Sequence, residues 1–421
     1  MPPPLKIAIA GAGTAGLAAA AFLTRDGHDV RLIEKFEAPR PLGAGLMLQP
    51  TGLACLACLG LDQSAIARGQ AIAGIRGTTV RGAKIFDVGY RELGPHLFGV
   101  GIHRGTLFRL LYDEVVRLGV PIMASTEVKE TRAVAGGRLL IDTRGGAHGP
   151  FDLVIDGTGM RSPLRAKESR VRLDRPYPYG AVWGILEQPA DWFAPGWLMQ
   201  VYDGCGLMIG VLPVGRRPGD ERPLVALFWS LRVKDYPTWR STGVAAWKAQ
   251  VSEAWPQAAS VVAQVRTHDD MTFASYADIV VRPCFAERLV FIGDAGRATS
   301  PQLGQGANLA LIDAATLAAS LRETPSVAAA LAAYAARRRA HTRFYSVASR
   351  TLTPFFQSDS KLAGAVRDAT FPLFAYVPYL RREMVRTLSG MKTGLFSSLD
   401  PGIWHARYAL HPAPVLSSQP A

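Results

Sequence analysis

The stretch Leu5-Lys6-Ile7-Ala8-Ile9-Ala10-Gly11-Ala12-Gly13-Thr14-Ala15-Gly16, followed by Asp29-Val30-Arg31-Leu32-Ile33-Glu34, decides the fold. Residues 7–23 carry no charge and resemble a membrane span or a signal segment. A span needs ~20 apolar residues, and this run is shorter and holds three glycines near its start. Its internal pattern reads instead as a buried strand (5–10), a turn (11–16), an Ala-rich helix (17–25) and a second strand (29–33) ending at Glu34. Gly-x-Gly-x-x-Gly between strand and helix, with an acid after the second strand, is the arrangement that holds a dinucleotide. Gly11 makes the tight turn, Gly13 lets backbone approach a diphosphate, and Gly16 lets the helix pack on the strand. The helix N-terminus, at Thr14 and Ala15, offers free N–H groups to the diphosphate. Glu34, with Lys35 beside it, stands where the adenosine ribose hydroxyls would lie.

The rest of the composition narrows the class. The 421 residues are 48% hydrophobic and 19% charged, enough for a sizeable core. Four cysteines exclude a disulfide scaffold and suit a reducing compartment. The 47 Lys+Arg against 34 Asp+Glu leave +13, and 38 of the cations are Arg. Zinc-finger spacing, a basic region leading into heptads and an RNP-like motif are all missing, so nucleic acid is not the expected partner. Twelve cations against four acids fall within 331–421, on helical-looking sequence. They read as a solvated face or as a surface touching an anionic membrane. Cys55 and Cys58 form a Cys-x-x-Cys inside an apolar helix without a second pair, so they read as small hydrophobes and no metal site is expected.

Distant segments choose the dinucleotide. His103-Arg104-Gly105-Thr106-Leu107 opens a helix, Arg288 to Ala295 ends in Phe291-Ile292-Gly293-Asp294-Ala295, and Pro301-Gln302-Leu303-Gly304-Gln305-Gly306-Ala307-Asn308 follows. In this order the blocks resemble the flavoprotein monooxygenases of the p-hydroxybenzoate hydroxylase type, including salicylate-type and ubiquinone-pathway hydroxylases. The resemblance covers residues 5 to about 323. It implies an α/β fold: a Rossmann-like FAD-binding domain in two parts (1–175 and 286–330), an inserted antiparallel-sheet substrate domain (176–285) and a helical C-terminal segment (331–421). It implies that Asp294 meets the flavin ribityl chain, that Arg104 contacts the flavin side of the cofactor, and that Pro301, Gly304, Gln305, Gly306 and Asn308 lie along the isoalloxazine edge. Gly304 and Gly306 leave room for a flat ring, and a helix N-terminus there stabilises negative charge on reduced flavin.

Two segments depart from that pattern. The third family fingerprint has Asp-Gly before Ser and Arg, touches the diphosphate and helps with NAD(P)H. Here Thr158 holds the Asp position and Asp156 comes two residues early. Arg297 follows Gly-Asp-Ala-Gly where a His is usual, and reads as facing solvent or as bridging to a phosphate or flavin oxygen. Between 176 and 285, apolar stretches at 181–186, 198–202, 207–211 and 224–231 read as antiparallel strands, and 243–265 as a helix with Trp247, Val251, Trp255 and Ala258 in core. Tyr177, Trp183, Tyr202, Met208, Phe228 and Trp229 are the candidates to line a substrate pocket. The C-terminal helices are expected over 328–339, 344–353 and 362–380.

The resemblance implies hydroxylation of an aromatic or extended apolar small molecule by O2 through a C4a-hydroperoxyflavin, with FAD as cofactor and NADPH or NADH as electron donor. The sequence identifies no substrate-activating base, so the catalytic residues stay unassigned at this point. The alternatives are an FAD-dependent reductase or dehydrogenase without oxygen insertion, and a non-catalytic FAD-binding protein. A flavin halogenase would carry Trp-x-Trp-x-Ile-Pro, and only Val182-Trp183-Gly184-Ile185-Leu186 approaches it. The expected location is cytoplasmic, with peripheral membrane contact through the basic helices, and the C-terminal helices of the family also make homodimer contacts.

Overall fold

The computed structural model describes residues 3–38, 44–169 and 171–399. Leu42, Gly43, Arg407 and the rest of 400–421 therefore lie outside the described residues. The motif that opens the chain forms as read. Strand Lys6–Ala10 is central in a six-stranded sheet, parallel to Asp29–Ile33 on one side and Leu153–Asp156 on the other. The helix starts earlier than expected, at Thr14, and runs to Arg25 with its Ala-rich face fully buried. Leu289–Phe291 extends the sheet in parallel beyond Leu153–Asp156.

Glycine is obligatory in this turn for two measurable reasons. Gly11 has φ +98°, which L side chains rarely adopt, and a Cβ there would sit 2.7 Å from the Gly157 carbonyl oxygen. A Cβ on Gly16 would lie 1.9 Å from the Gly11 carbonyl oxygen. Gly13 meets nothing within 4 Å of its would-be Cβ, so its position is open on the cofactor side.

The second unit is an eight-stranded sheet. Its core is Thr272–Val281, Val171–Glu187, Leu224–Arg232, Leu207–Gly215 and Trp197–Asp203, antiparallel throughout. The hairpin Gly74–Thr79/Lys84–Gly89 belongs to this sheet, because Gly74–Thr79 pairs in parallel with Trp197–Asp203. Strand Val171–Glu187 is long enough to begin beside the first unit and end in the second. The sheet's two faces follow the period of two. Trp183 and Phe228 point inward with rings 4.7 Å apart, while Trp229 points outward against Trp247. Trp247, Val251, Trp255 and Ala258 are all buried in that outer core.

The expected helix over 243–265 is broken. It runs over Val244–Ala254, turns at Pro256–Ala258 and resumes as Ala259–Val262. Pro256 lacks a donor and holds Trp255 out of helical geometry, at φ −149° and ψ 85°. Conversely, 328–339 and 344–353 fuse into one helix, Val327–Phe356, with Pro354 in its last turn. The 362–380 stretch divides into Lys361–Phe374 and Pro378–Leu388, since Pro378 starts a new helix at its first position. Among the described residues no helix is long and apolar enough to cross a membrane.

The tight approach of Gly16 to the Gly11 carbonyl gives its own test. Gly16→Ala forces a methyl onto the Gly11 carbonyl, and we expect a loss of about 1–3 kcal/mol in denaturant unfolding. Unchanged stability would mean that helix and strand do not pack as described.

Candidate functional site

The two sheets meet around a cleft of about 370 Å³. On one side stand Ala44, Gly45, Arg104, Met160, Asp294 and residues 301–307. On the other stand side chains of the large sheet: Ile75, Trp183, Leu198, Gln200, Met208 and Phe228. Leu388, at the end of helix Pro378–Leu388, closes one wall.

Two charged groups of opposite sign face each other in this cleft. Asp294 follows strand Leu289–Phe291 in a short turn, and Arg104 begins helix Arg104–Arg117. Both open onto the cleft, yet protein encloses them beyond it. Desolvation therefore pushes the Asp294 carboxyl up and the Arg104 guanidinium down, and each opposes the other's shift. The Tyr276 phenol is raised to about 12, chiefly by burial, and accepts a 2.9 Å hydrogen bond from Trp183 Nε1.

Helix Gly306–Glu323 points its N-terminus at the cleft, and no side chain caps it. Gly304 reaches it through a left-handed conformation, φ +60°. A Cβ on Gly306 would meet nothing within 4 Å. An uncapped helix start with bare backbone in front of it is the arrangement that receives a flat, partly anionic ring. Pro301, Gly304, Gln305 and Gly306 thus line the cleft together, where the resemblance puts them.

Asn308 departs from that expectation. It is fully buried, and both ends of its amide are used inside the protein. Its Oδ1 accepts from the Gln49 N–H at 2.8 Å, and its Nδ2 donates to the Met47 and Gly304 carbonyls at 3.0 Å each. Asn308 shapes the ring-facing loop and is not among the residues lining the cleft.

Glu34 is buried, and its carboxylate accepts the Ala12 N–H at 2.7 Å and the Phe36 N–H at 3.0 Å. These bonds tie it to the Gly-rich turn and leave lone pairs for ribose hydroxyls. Lys35 is exposed, with its ammonium 5.1 Å from the Phe36 ring centroid. Thr14 is half-buried at the helix start, and Ala15 packs beneath the Gly293 turn.

The two departing segments take different roles, one inside the protein and one at the cleft. Asp156 is fully buried and accepts from Thr158 N–H, Thr158 Oγ1 and Ser162 Oγ, so it folds the 157–162 loop. Burial pushes its carboxyl up while those bonds oppose the shift. Arg297 does not face solvent: it lines the cleft floor beside Asp313, and its Nε has no partner. Asp313 accepts the Gly293 N–H and pairs with buried Arg338, whose Nη1 donates to His341 Nδ1. Desolvation and Arg338 hold His341 down to about 3, so it stays neutral and donates from Nε2 to the Gly390 carbonyl.

Of the aromatic pocket candidates, Trp183, Met208 and Phe228 line the cleft, whereas Tyr177, Tyr202 and Trp229 do not. One lining residue lacked any sequence signal. Gln49 is fully buried, its Oε1 accepts from the Tyr90 hydroxyl, and its Nε2 has no partner. A Cβ on Gly304 would lie 3.7 Å from that nitrogen. Gln49 therefore offers a free amide donor beside the ring-facing loop. Cys55 is buried and Cys58 exposed on the helix Pro50–Cys58, remote from this chemistry.

An open Gly13, an open Gly306, an uncapped helix start and an unpartnered amide donor all fit a flavin dinucleotide. The family described as FAD binding domain matches residues 5–345. The FAD-dependent urate hydroxylase of Klebsiella pneumoniae is 28% identical over 349 residues, 79% of this chain and 86% of its own. The aurachin C monooxygenase/isomerase of Stigmatella aurantiaca is 26% identical over 382 residues, 86% of this chain and 93% of its own. Among solved structures, Klebsiella pneumoniae HpxO complexed with FAD and uric acid superposes with a TM-score of 0.74 at 22% identity, covering 93% of this chain and 98% of its own. The chain belongs to the FAD-dependent monooxygenases, the class A flavoprotein hydroxylases.

Proposed function

We propose that this monooxygenase hydroxylates an uncharged aromatic or extended apolar small molecule, taking electrons from NAD(P)H. The observation that carries the reading is the cleft itself. The flavin-facing wall holds Arg104, Asp294 and a helix N-terminus, and the opposite wall is apolar. Trp183, Leu198, Met208, Leu212 and Phe228 form that wall, with Gln200, Thr272 and Ser275 as neutral polar groups. Among the described residues, the ionised side chains that line the cleft (Arg104, Asp294, Arg297 and Asp313) lie outside this apolar wall, so a charged ligand set against that wall would be desolvated without compensation.

FAD, when bound and reduced by two electrons from NAD(P)H, would supply the chemistry that activates O2, one oxygen atom going to an electron-rich carbon and the other leaving as water. The protein's part is position and dryness. The amides of Gly13, Thr14 and Ala15 receive the diphosphate, with Glu34 on the adenosine ribose. Asp294 would take the ribityl hydroxyls, and the charge of Arg104 favours its carboxylate form against the upward push of burial. The N-terminus at Gly306 and the Gln49 amide stabilise negative charge on the reduced ring. Trp183 and Phe228 stack the substrate in a layer from which water is excluded.

One surface supports contact with a lipid headgroup layer. Leu362, Val366 and Leu373 are exposed along one stripe of helix Lys361–Phe374, and Tyr376, Val377 and Tyr379 continue it. Lys361 and Arg382 are exposed beside them. Apolar anchors flanked by cations match an anionic membrane surface, where an apolar substrate dissolves.

Glu34→Ala removes one or more charge-assisted bonds to ribose, and FAD affinity should fall by about tenfold or more in equilibrium titration. Unchanged affinity would refute the ribose contact. With 18O2, the product should carry one labelled oxygen atom. NAD(P)H oxidation with unlabelled product would favour a reductase, and FAD binding without any turnover across aromatic and quinone-like candidates would favour a carrier. Sedimentation with phosphatidylserine vesicles at low salt should retain the protein, and a Leu362→Asp/Leu373→Asp variant should stay in solution. Wild-type protein that ignores such vesicles would end the membrane reading.

A further inference from the structure

A second concavity, of about 480 Å³, lies between the long helix Val327–Phe356 and the ends of strands Val171–Glu187 and Thr272–Val281. Arg343, Ser346, Val347 and Arg350 face it from the helix, at the spacing that puts residues on one face. Arg172 and Arg282 face it from the strand ends. Four guanidinium groups thus line one groove. Arg350 is paired with Asp278 at 2.9 Å. Arg172, Arg282 and Arg343 make no ion pair or side-chain hydrogen bond recorded among the described residues, and all three are exposed. The groove therefore carries about three uncompensated positive charges.

The floor supplies a second, independent sign of a missing ligand. Ser346 is only 3% exposed, lines the groove, and its Oγ has no hydrogen-bond partner. A buried hydroxyl without a partner is uncommon and costs stability unless something in the groove meets it. Guanidinium forks around a hydroxyl are the chemistry that recognises phosphate.

The groove and the flavin cleft share a wall. Val280 lines the groove, and its strand partner Arg297 lines the cleft. Farther along the same helix, Ser349 and Thr353 bond to the Ser300 hydroxyl at 2.8 and 2.6 Å, and Ser300 lines the cleft. Seven residues of helix separate Ser346 from Thr353, about 10 Å. An extended dinucleotide spans such a distance.

We propose that the groove lined by Arg172, Arg282, Arg343 and Arg350 holds the phosphates of a 2′-phosphorylated pyridine dinucleotide, with its nicotinamide directed toward the cleft. The assignment rests on the reading of this chain as reduced by NAD(P)H. Three unpaired arginines suit a diphosphate together with a 2′-phosphate, and so favour NADPH over NADH.

The test is calorimetric titration of the FAD-loaded full chain with 2′,5′-ADP, 5′-ADP and pyrophosphate. Wild type should bind 2′,5′-ADP best. An Arg172→Ala/Arg343→Ala variant, altered at two exposed positions away from the flavin, should lose about tenfold or more in affinity while keeping its FAD and its thermal unfolding midpoint. In turnover, KM for NADPH should rise with kcat nearly unchanged, and the preference over NADH should shrink. Equal 2′,5′-ADP affinity in variant and wild type, or none in wild type, overturns the proposal. Pyrophosphate binding without 2′,5′-ADP binding overturns the nucleotide assignment and leaves a site for other phosphates. Binding of 2′,5′-ADP that the variant loses, with no NADPH oxidation by wild type, sinks the electron-donor reading alone.

Discussion

One buried carboxamide holds the cleft in shape. Asn308 accepts from Gln49 and donates to Met47 and Gly304, so a single side chain joins a helix start, a strand end and the left-handed loop before the helix. Its surroundings leave no slack: a Cβ on Gly52 would sit 2.1 Å from its Oδ1. Remove those bonds and two carbonyls and an N–H are left unpaired away from water, a cost of about 1–3 kcal/mol each. The aim of the Gly306 helix, the position of Gln49 and the floor beneath the ring all depend on that amide.

Local chemistry was legible in the sequence, and direction was not. Gly11, Gly13 and Gly16 act within six residues of one another, so spacing alone predicts the open and the crowded positions. Asp294 and the 301–306 run are likewise local turns at element ends. Asn308 carries the same motif, but its amide turns inward because partners more than 250 residues away receive it. Gln49 had no pattern to mark it, since its orientation comes from Tyr90, 41 residues on. Trp229 and Phe228 are neighbours in sequence, and only the sheet's pleat separates core from cleft. The breaks at Pro256 and Pro378 were within reach of sequence reasoning, because proline's missing donor ends a helix wherever periodicity suggests continuing it. The union of 328–339 with 344–353 was not, because the burial of Arg338, His341 and Thr342 is what carries the helix through.

The basic balance of the chain also divides once the structure is in hand. Arg338 and Arg367 are buried and paired with Asp313 and Asp368. Arg381 reaches Glu92 across to a different part of the chain. These cations are structural, and they leave the excess at the surface concentrated on Arg339, Arg343, Arg382 and their neighbours. An overall charge thus says less than its partition between internal pairs and open groups.

The last wall of the cleft is fastened by its carbonyls. Gln305 Nε2 donates to Leu388 O, Thr51 Oγ1 to Ser389 O, and His341 Nε2 to Gly390 O. The three donors come from the ring-facing loop, the second helix and the long helix, so residues 388–390 close a chamber whose other walls precede them in the chain. Because all three acceptors are backbone carbonyls, the fastening does not depend on which side chains residues 388–390 carry, and substitutions there can reshape this edge of the cleft without undoing the bonds that hold it.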